Sequence, residues 1–343
     1  MSGFRVDSIM EDLRHCPPYD VVAKIMKALG GEVIGGEEII EGVLLCMIGR
    51  GHVLIEGLPG LAKTLIAKTF ASLFNLSFKR VQFSPDLLPS DIIGTLVFLQ
   101  NKGKFGYRKG PIFANVVLLD EINRAPAKVQ SALLEAMEEK QITIGKKTHA
   151  LPAPFFVLAT ENPIEEEGTY PLSEAQKDRF LMKLVIDYPI KENEITVVNK
   201  ITNKIFNTEG EDLQPESEAR DEKSGGVFDS EVVEYLRECA KNVMISEEIT
   251  RYIVNVVSRT RGGKDEKNPY IEFGASPRAS IALNVLAKIL AMCRGRDFVL
   301  PDDVKYLAYP VLRHRIRLSY EALADGIKVD EIIKDILNTT EQP

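Results

Sequence analysis

The loop Gly57-Leu58-Pro59-Gly60-Leu61-Ala62-Lys63-Thr64 constrains this chain most, because a strand runs into it and a helix runs out of it. The preceding HVLIEG, His52 to Gly57, is a short apolar run of the buried-strand type, and Ile66, Phe70, Leu73 and Phe74 repeat at helical spacing behind it. The handover makes the loop a candidate phosphate cradle. Gly57 and Gly60 let backbone N–H groups converge on phosphates, Lys63 adds a point charge, and the Thr64 hydroxyl can ligate a magnesium ion. The helix that begins there adds its partial positive charge. Against the pattern GxxxxGK[ST], Ala62 stands where a second glycine is expected. An alanine there calls for ordinary helical dihedrals, which the first turn of the helix supplies. Taken alone, such a loop could equally be an ordinary strand-to-helix turn, so the rest of the chain has to decide.

With 343 residues, 45% of them hydrophobic, the chain is long enough for two domains and a sizeable core. No apolar stretch reaches bilayer-spanning length, and the N-terminus MSGFRVDSIMEDLRHC lacks the apolar core of a signal peptide. The expectation is a cytoplasmic protein without membrane insertion. Cys16, Cys46, Cys239 and Cys293 form no CxxC pair, and His15, His52, His149 and His314 are equally scattered, which argues against a structural zinc site. A formal net charge of −7 argues against non-specific nucleic-acid binding as the main activity, although a local basic channel stays open.

Strands, helices and turns alternate from about Val33 to Tyr188, as expected of an α/β domain with a mostly parallel sheet. Val53 to Ile55, Val116 to Leu119 and Phe155 to Ala159 read as central strands, each followed by polar residues at the end where open α/β sheets bind ligands. Two hairpins interrupt this core: Thr95 to Gln100 with Lys104 to Tyr107, and Gln141 to Ile144 with Thr148 to Leu151. They are surface decoration or contact devices. The polar, acidic stretch 207–226 reads as a linker. Beyond it the apolar spacing is helical throughout, for example at Ile281, Val285, Leu286, Ile289 and Leu290, which predicts a small helical bundle. The expected organisation is a helical leader over 1–32, an α/β core over 33–206, the linker, and a helical domain over 227–343.

Beyond the loop, VVLLDEINRA ends an apolar strand in two adjacent acids, Asp120 and Glu121. One can hold a magnesium shell while the other orients or deprotonates an attacking water. FFVLATENP ends in Thr160, Glu161 and Asn162, and the neutral Asn162 amide can position a water or a γ-phosphate oxygen; before Pro163 it could also be a turn former. Arg179 in SEAQKDRF offers a planar fork for γ-phosphate charge, or a salt bridge to Asp178 or Glu174. Arg278 in GASPRAS opens a helix behind Pro277 and could fold over the phosphates or form a surface pair.

The chain resembles the AAA+ ATPases, and within them the MoxR family. The residues that carry the likeness are GLPGLAKT, VQFSPDLLPSDIIG, KGPIFANVVLLDEINRAPAKVQSALLEAMEE, ATENP, PLSEAQKDRF, GASPRA and GRDFVLPDDV, in this order over roughly Val21 to Leu318. Ala62 fits that family's loop, GxPGxAKT, and Ser173 departs from it where proline is expected in PLPEAQ. The resemblance implies an AAA+ P-loop core with a C-terminal helical lid, ATP and Mg2+ as cofactors, and ATP hydrolysis. It implies that the loop from Gly57 through Leu65 binds the nucleotide, with Lys63 and Thr64 as its Walker A ligands. Asp120 is then the Walker B magnesium residue, Glu121 the residue that activates water, and Asn162 sensor 1. Arg179 corresponds to an arginine finger donated to a neighbour, Arg278 to sensor 2, and Ile34 with Gly35 to positions near the adenine. A hexameric homo-oligomeric ring follows, with the hairpins facing its pore. So do protein clients for chaperone-like remodelling and a von Willebrand factor A domain partner.

Three rivals remain. A nucleic-acid ring motor, such as an MCM-like helicase, shares the motifs, but the first hairpin is only mildly basic, with Lys102, Lys104, Arg108 and Lys109. A GTPase would need an NKxD sequence, and the NK pairs at Asn101 and Asn203 carry Lys104 and Phe206 in place of its aspartate. A non-hydrolysing scaffold sits poorly with intact Lys63, Asp120, Glu121, Asn162 and Arg179.

Overall fold

Alternation along three apolar strands divides the molecule into two cores. In the computed structural model, which describes residues 16–58, 60–163, 169–207, 227–261 and 268–343, successive strand side chains point to opposite faces of one sheet. Val53, Ile55, Val116, Leu118, Phe156 and Leu158 enter one core, whereas Leu54, Val117, Leu119, Val157 and Ala159 enter the other. Strands buried on both faces read as continuous apolar runs, which is why the sequence betrays them. Residues 1–15 of the leader, Pro59 and the linker residues 208–226 lie outside the described residues.

Helices α1 (Pro18–Gly30) and α2 (Glu37–Ile48) lead into β1 (Val53–Gly57), and α3 (Lys63–Leu73) leaves it. Next come β2 (Phe78–Gln82), α4 (Pro89–Ile93), β3 (Gly94–Leu99), β4 (Lys104–Lys109), β5 (Val116–Asp120) and α5 (Ala127–Glu139). The core closes with β6 (Gln141–Ile144), β7 (Lys147–Ala150), β8 (Phe156–Glu161), α6 (Glu174–Lys177), β9 (Met182–Ile186) and α7 (Lys191–Asn207). The five-stranded sheet has the order β2-β5-β8-β1-β9 and is parallel throughout. The chain leaves β1 for the far edge strand β2 and returns strand by strand, so the crevice beside β1 lies at a topological switch point, where open α/β sheets take ligands. Both expected hairpins form, as β3–β4 and β6–β7. The edge strand β2 was not foreseen, because four of its five residues are at least partly exposed and give no apolar run.

The C-terminal part consists of α8 (Ser230–Lys241), α9 (Glu247–Arg259), α10 (Pro277–Cys293), α11 (Pro301–Leu312), α12 (Tyr320–Ala324) and α13 (Val329–Thr339). The expectation of helix throughout needs one correction. A short antiparallel ribbon joins β10 (Ile271–Phe273) to β11 (Arg317–Leu318), strands too brief to leave a periodic signal. The lid shares the larger core with α1, α2 and α3. Polar contacts fasten it as well: Arg237 donates to the carbonyls of Met47 and Ile48 and so satisfies the end of α2. Arg315, 6% exposed, donates to Asp178 and to the carbonyls of Phe180 and Leu181.

Candidate functional site

At the C-terminal ends of β1, β5 and β8 opens a cavity of about 850 Å3, and Lys63, Thr64, Asp120, Glu121 and Asn162 all line it. Gly60, Leu61, Ala62 and Leu65 of the loop line it, as do Ala28, Glu32 and Val227.

The loop turns through two left-handed residues. Gly60 has φ +84°, with open space where a Cβ would stand. Ala62 has φ 54° and ψ 17°, directly before the first helical residue, Lys63. Ordinary helical dihedrals were expected at Ala62, and the structure corrects this. The helix starts one residue later, and the backbone reaches it through a conformation that costs a non-glycine residue about 1–2 kcal/mol. The Ala62 side chain is exposed, so this cost has no packing return. Lys63 is 9% exposed, and its ammonium donates to the Gly57 carbonyl at 2.5 Å. Gly57 itself permits the close approach of β9, since a Cβ there would stand 2.9 Å from the Ile186 carbonyl oxygen. Leu58 is half-buried and Leu65 exposed.

The two acids sit in a connected polar network. Asp120 accepts from the Thr160 hydroxyl at 2.6 Å through Oδ1, and from Arg80 Nε and Nη2 at 3.2 and 2.5 Å through Oδ2. The same Thr160 oxygen accepts from the Glu121 N–H at 2.9 Å, so one fully buried hydroxyl sets both residues. Glu121 has φ 60° and ψ 52°, a second left-handed non-glycine residue in the site. Such strain persists where the surroundings over-determine it. Its carboxylate accepts from Gln82 Nε2 at 2.8 Å and lies 3.3 Å from Arg124. Arg80 in turn donates to Gln82 at 2.8 Å. Sequence reasoning missed Arg80, Gln82 and the role of Thr160. The first two are two residues apart and so share a face of β2, but only the pairing of β2 with β5 brings them to the acids. Asn162 is 5% exposed and accepts from Asn123 Nδ2 at 3.4 Å through its backbone carbonyl.

A hydroxyl and a carboxylate are the oxygen donors a hard divalent cation prefers, so Thr64 and Asp120 fit Mg2+. Among the described residues no group of three or more His, Cys, Asp or Glu could hold a metal unaided.

Six expected residues stand outside the lining, Gly57 and Leu58 at the start of the loop and four more elsewhere. Ile34 and Gly35 are not among the cavity-lining residues, though Glu32 of the same turn is. Gly35, at φ +72°, backs directly onto the Asn193 side chain. Arg179 and Arg278 also lie outside the lining and meet at one carboxylate, Glu138 of α5, at 3.1 and 2.5 Å. Asp178 is taken by Arg315 at 2.8 Å. Away from the cavity, Glu161 is held above the usual carboxylate range by burial, partly offset by Lys183, which pairs with Glu56 at 2.5 Å. Burial pushes His52 down to about 4, which keeps it neutral; it accepts from the Val157 N–H and donates to the Met137 carbonyl, a structural role.

Residues 52–182 match the ATPase family associated with various cellular activities (AAA), and residues 264–336 match the AAA lid domain. Chaperone MoxR1 of Mycobacterium tuberculosis is 42% identical over 91% of this chain and 79% of its own length. The Bacillus subtilis protein YeaC is 39% identical over 95% of this chain and 96% of its own. A crystal structure of a candidate ATPase from Cytophaga hutchinsonii superposes with a TM-score of 0.84 at 43% identity, covering 97% of this chain and 98% of that one. With the phosphate loop, paired acids and lid in place, the chain belongs to the MoxR family of AAA ATPases.

Proposed function

We propose that this protein hydrolyses ATP at a site completed by a second copy, in a hexameric ring, and that the cycle drives remodelling or assembly of protein complexes. One observation carries the reading: nine of the expected residues, Lys63, Asp120, Glu121 and Asn162 among them, converge on one cavity while Arg179 stands outside it, at Glu138. An arginine that serves γ-phosphate chemistry without reaching its own cavity has a use in a neighbour's. In this reading the loop from Gly57 through Leu65, with Lys63, cradles the phosphates, and the turn holding Ile34 and Gly35 borders the adenine end. Thr64 and Asp120 would hold Mg2+, which would supply charge neutralisation on the phosphates. Glu121 orients the attacking water and accepts its proton, and Asn162 positions that water or a γ-oxygen.

Protein is the proposed client. Behind the polar tip of the β3–β4 hairpin an aromatic pair, Phe98 and Phe105, is exposed and in edge contact at 5.3 Å, which suits a hydrophobic segment of a partner. A relative carries the name chaperone, which supports the same direction. A von Willebrand factor A domain protein is one such partner to try.

The test is ATP hydrolysis per subunit over a wide range of protein concentration, with Glu121→Gln as the blank. Specific activity that rises with concentration is expected. A flat profile above a silent blank means that each subunit works alone and overturns the shared site. Stimulation by single-stranded nucleic acid but not by protein clients would favour the motor.

A further inference from the structure

The carboxylate of Glu138 ends α5, the helix that follows the paired acids, and it gathers both arginines left outside the cavity. Arg179 meets Oε2 through its Nε at 3.1 Å, and Arg278 meets Oε1 through Nη2 at 2.5 Å. Each oxygen takes one cation. The contact to Arg179 falls on Nε rather than on the two terminal nitrogens that form a fork toward phosphate. Side chains next to the two arginines tie core to lid too. Ser276, which caps the helix that Arg278 opens, donates to Asp178 Oδ2 at 2.7 Å, and Arg315 holds Asp178 Oδ1 at 2.8 Å.

Glu138 is poorly placed as a mere helix residue. It stands in the last turn of α5, which carries no basic residue, and an acid there opposes the helix dipole. All three side chains are 31–48% exposed, so pairs of this kind add little to stability. The cluster serves alignment better than it serves the fold.

We propose that Glu138 is a positioning residue that holds Arg179 and Arg278 as one two-cation unit, presented together to the triphosphate of a second copy. The inference rests on the reading of Arg179 as a residue given in trans. Two guanidinium groups at one place repel each other, and a carboxylate between them cancels that repulsion. Without it each long side chain returns to its own rotamers.

The experiment uses Glu138→Gln and Glu138→Asp in the full chain, measuring ATP affinity by calorimetry and hydrolysis in the assembled protein. For Glu138→Gln, affinity stays within about two-fold while kcat falls roughly 10²-fold, the scale of a misplaced transition-state group. Glu138→Asp recovers part of the loss. Mixing supplies the readout that a structural defect would not move. Each Glu138→Gln subunit has an intact cavity, so an admixed Glu121→Gln subunit, whose arginines are intact, restores its turnover. Unchanged kcat in Glu138→Gln overturns the proposal, and so does a loss that mixing fails to restore while the same mixture restores Arg179→Ala. If Arg179→Ala is not restored in proven mixed assemblies, the shared site itself fails, and the unit at Glu138 falls with it.

Discussion

The cavity half of the site and the arginine half are built on opposite plans. Lys63 is buried at the start of α3, Asp120 and Asn162 lie at the ends of β5 and β8, and the fully buried Thr160 hydroxyl bonds to Asp120 and to the Glu121 N–H. Arg179 and Arg278 stand half-exposed where core meets lid, and their shared partner is a surface carboxylate. Groups that grip a ligand within one chain can be fixed by the sheet. Groups that must reach another copy have to stay at the surface, and a counter-charge restrains them there at little cost in stability.

The sharpest way to break this division is Arg179→Ala. Loss of an arginine that stabilises γ-phosphate transfer costs about 10³-fold or more in kcat. ATP affinity should stay near wild type, because Arg179 is absent from the cavity lining. Turnover should return in part on mixing with Glu121→Gln. A tenfold loss of ATP affinity would move Arg179 into the cavity half and erase the distinction.

Glu121→Gln is the converse. Removing a general base lowers kcat by about 10²- to 10⁴-fold, while the retained shape keeps ATP bound. The glutamine can still meet Gln82, so the left-handed turn at Glu121 should hold. Single-turnover hydrolysis at the wild-type rate would show that another group handles the proton.

How much of this was legible in the sequence follows the same division. The strands β1, β5 and β8 announce themselves by apolar runs, and with them come the residues at their ends. β2 is a half-exposed edge strand, so Arg80 and Gln82 were invisible as site residues until its pairing with β5 was known. Arg179 stands beside Asp178, its natural partner by spacing, yet Arg315 from a distant helix end claims that acid and leaves Arg179 to Glu138. Long-range charge pairing of this kind leaves no periodic trace. The two brief strands of the lid ribbon escaped for a related reason: their pairing, not their composition, makes them strands.

The smallest expected effect probes the loop itself. Ala62 adopts a left-handed conformation with an exposed methyl group, so glycine should relieve strain there without opening a cavity. The relief, about 1–2 kcal/mol, is opposed by the greater freedom of glycine in the unfolded chain, roughly 0.4–1 kcal/mol. Ala62→Gly should therefore stabilise the nucleotide-free protein by about 0.5–1 kcal/mol, read as a higher denaturant midpoint, with ATP affinity little changed. Ala62→Val should move the midpoint the other way, since a β-branched side chain tolerates that conformation least. If glycine lowers the midpoint, the helix begins at Ala62 in ordinary dihedrals, and the cavity half holds one strained residue, Glu121, instead of two.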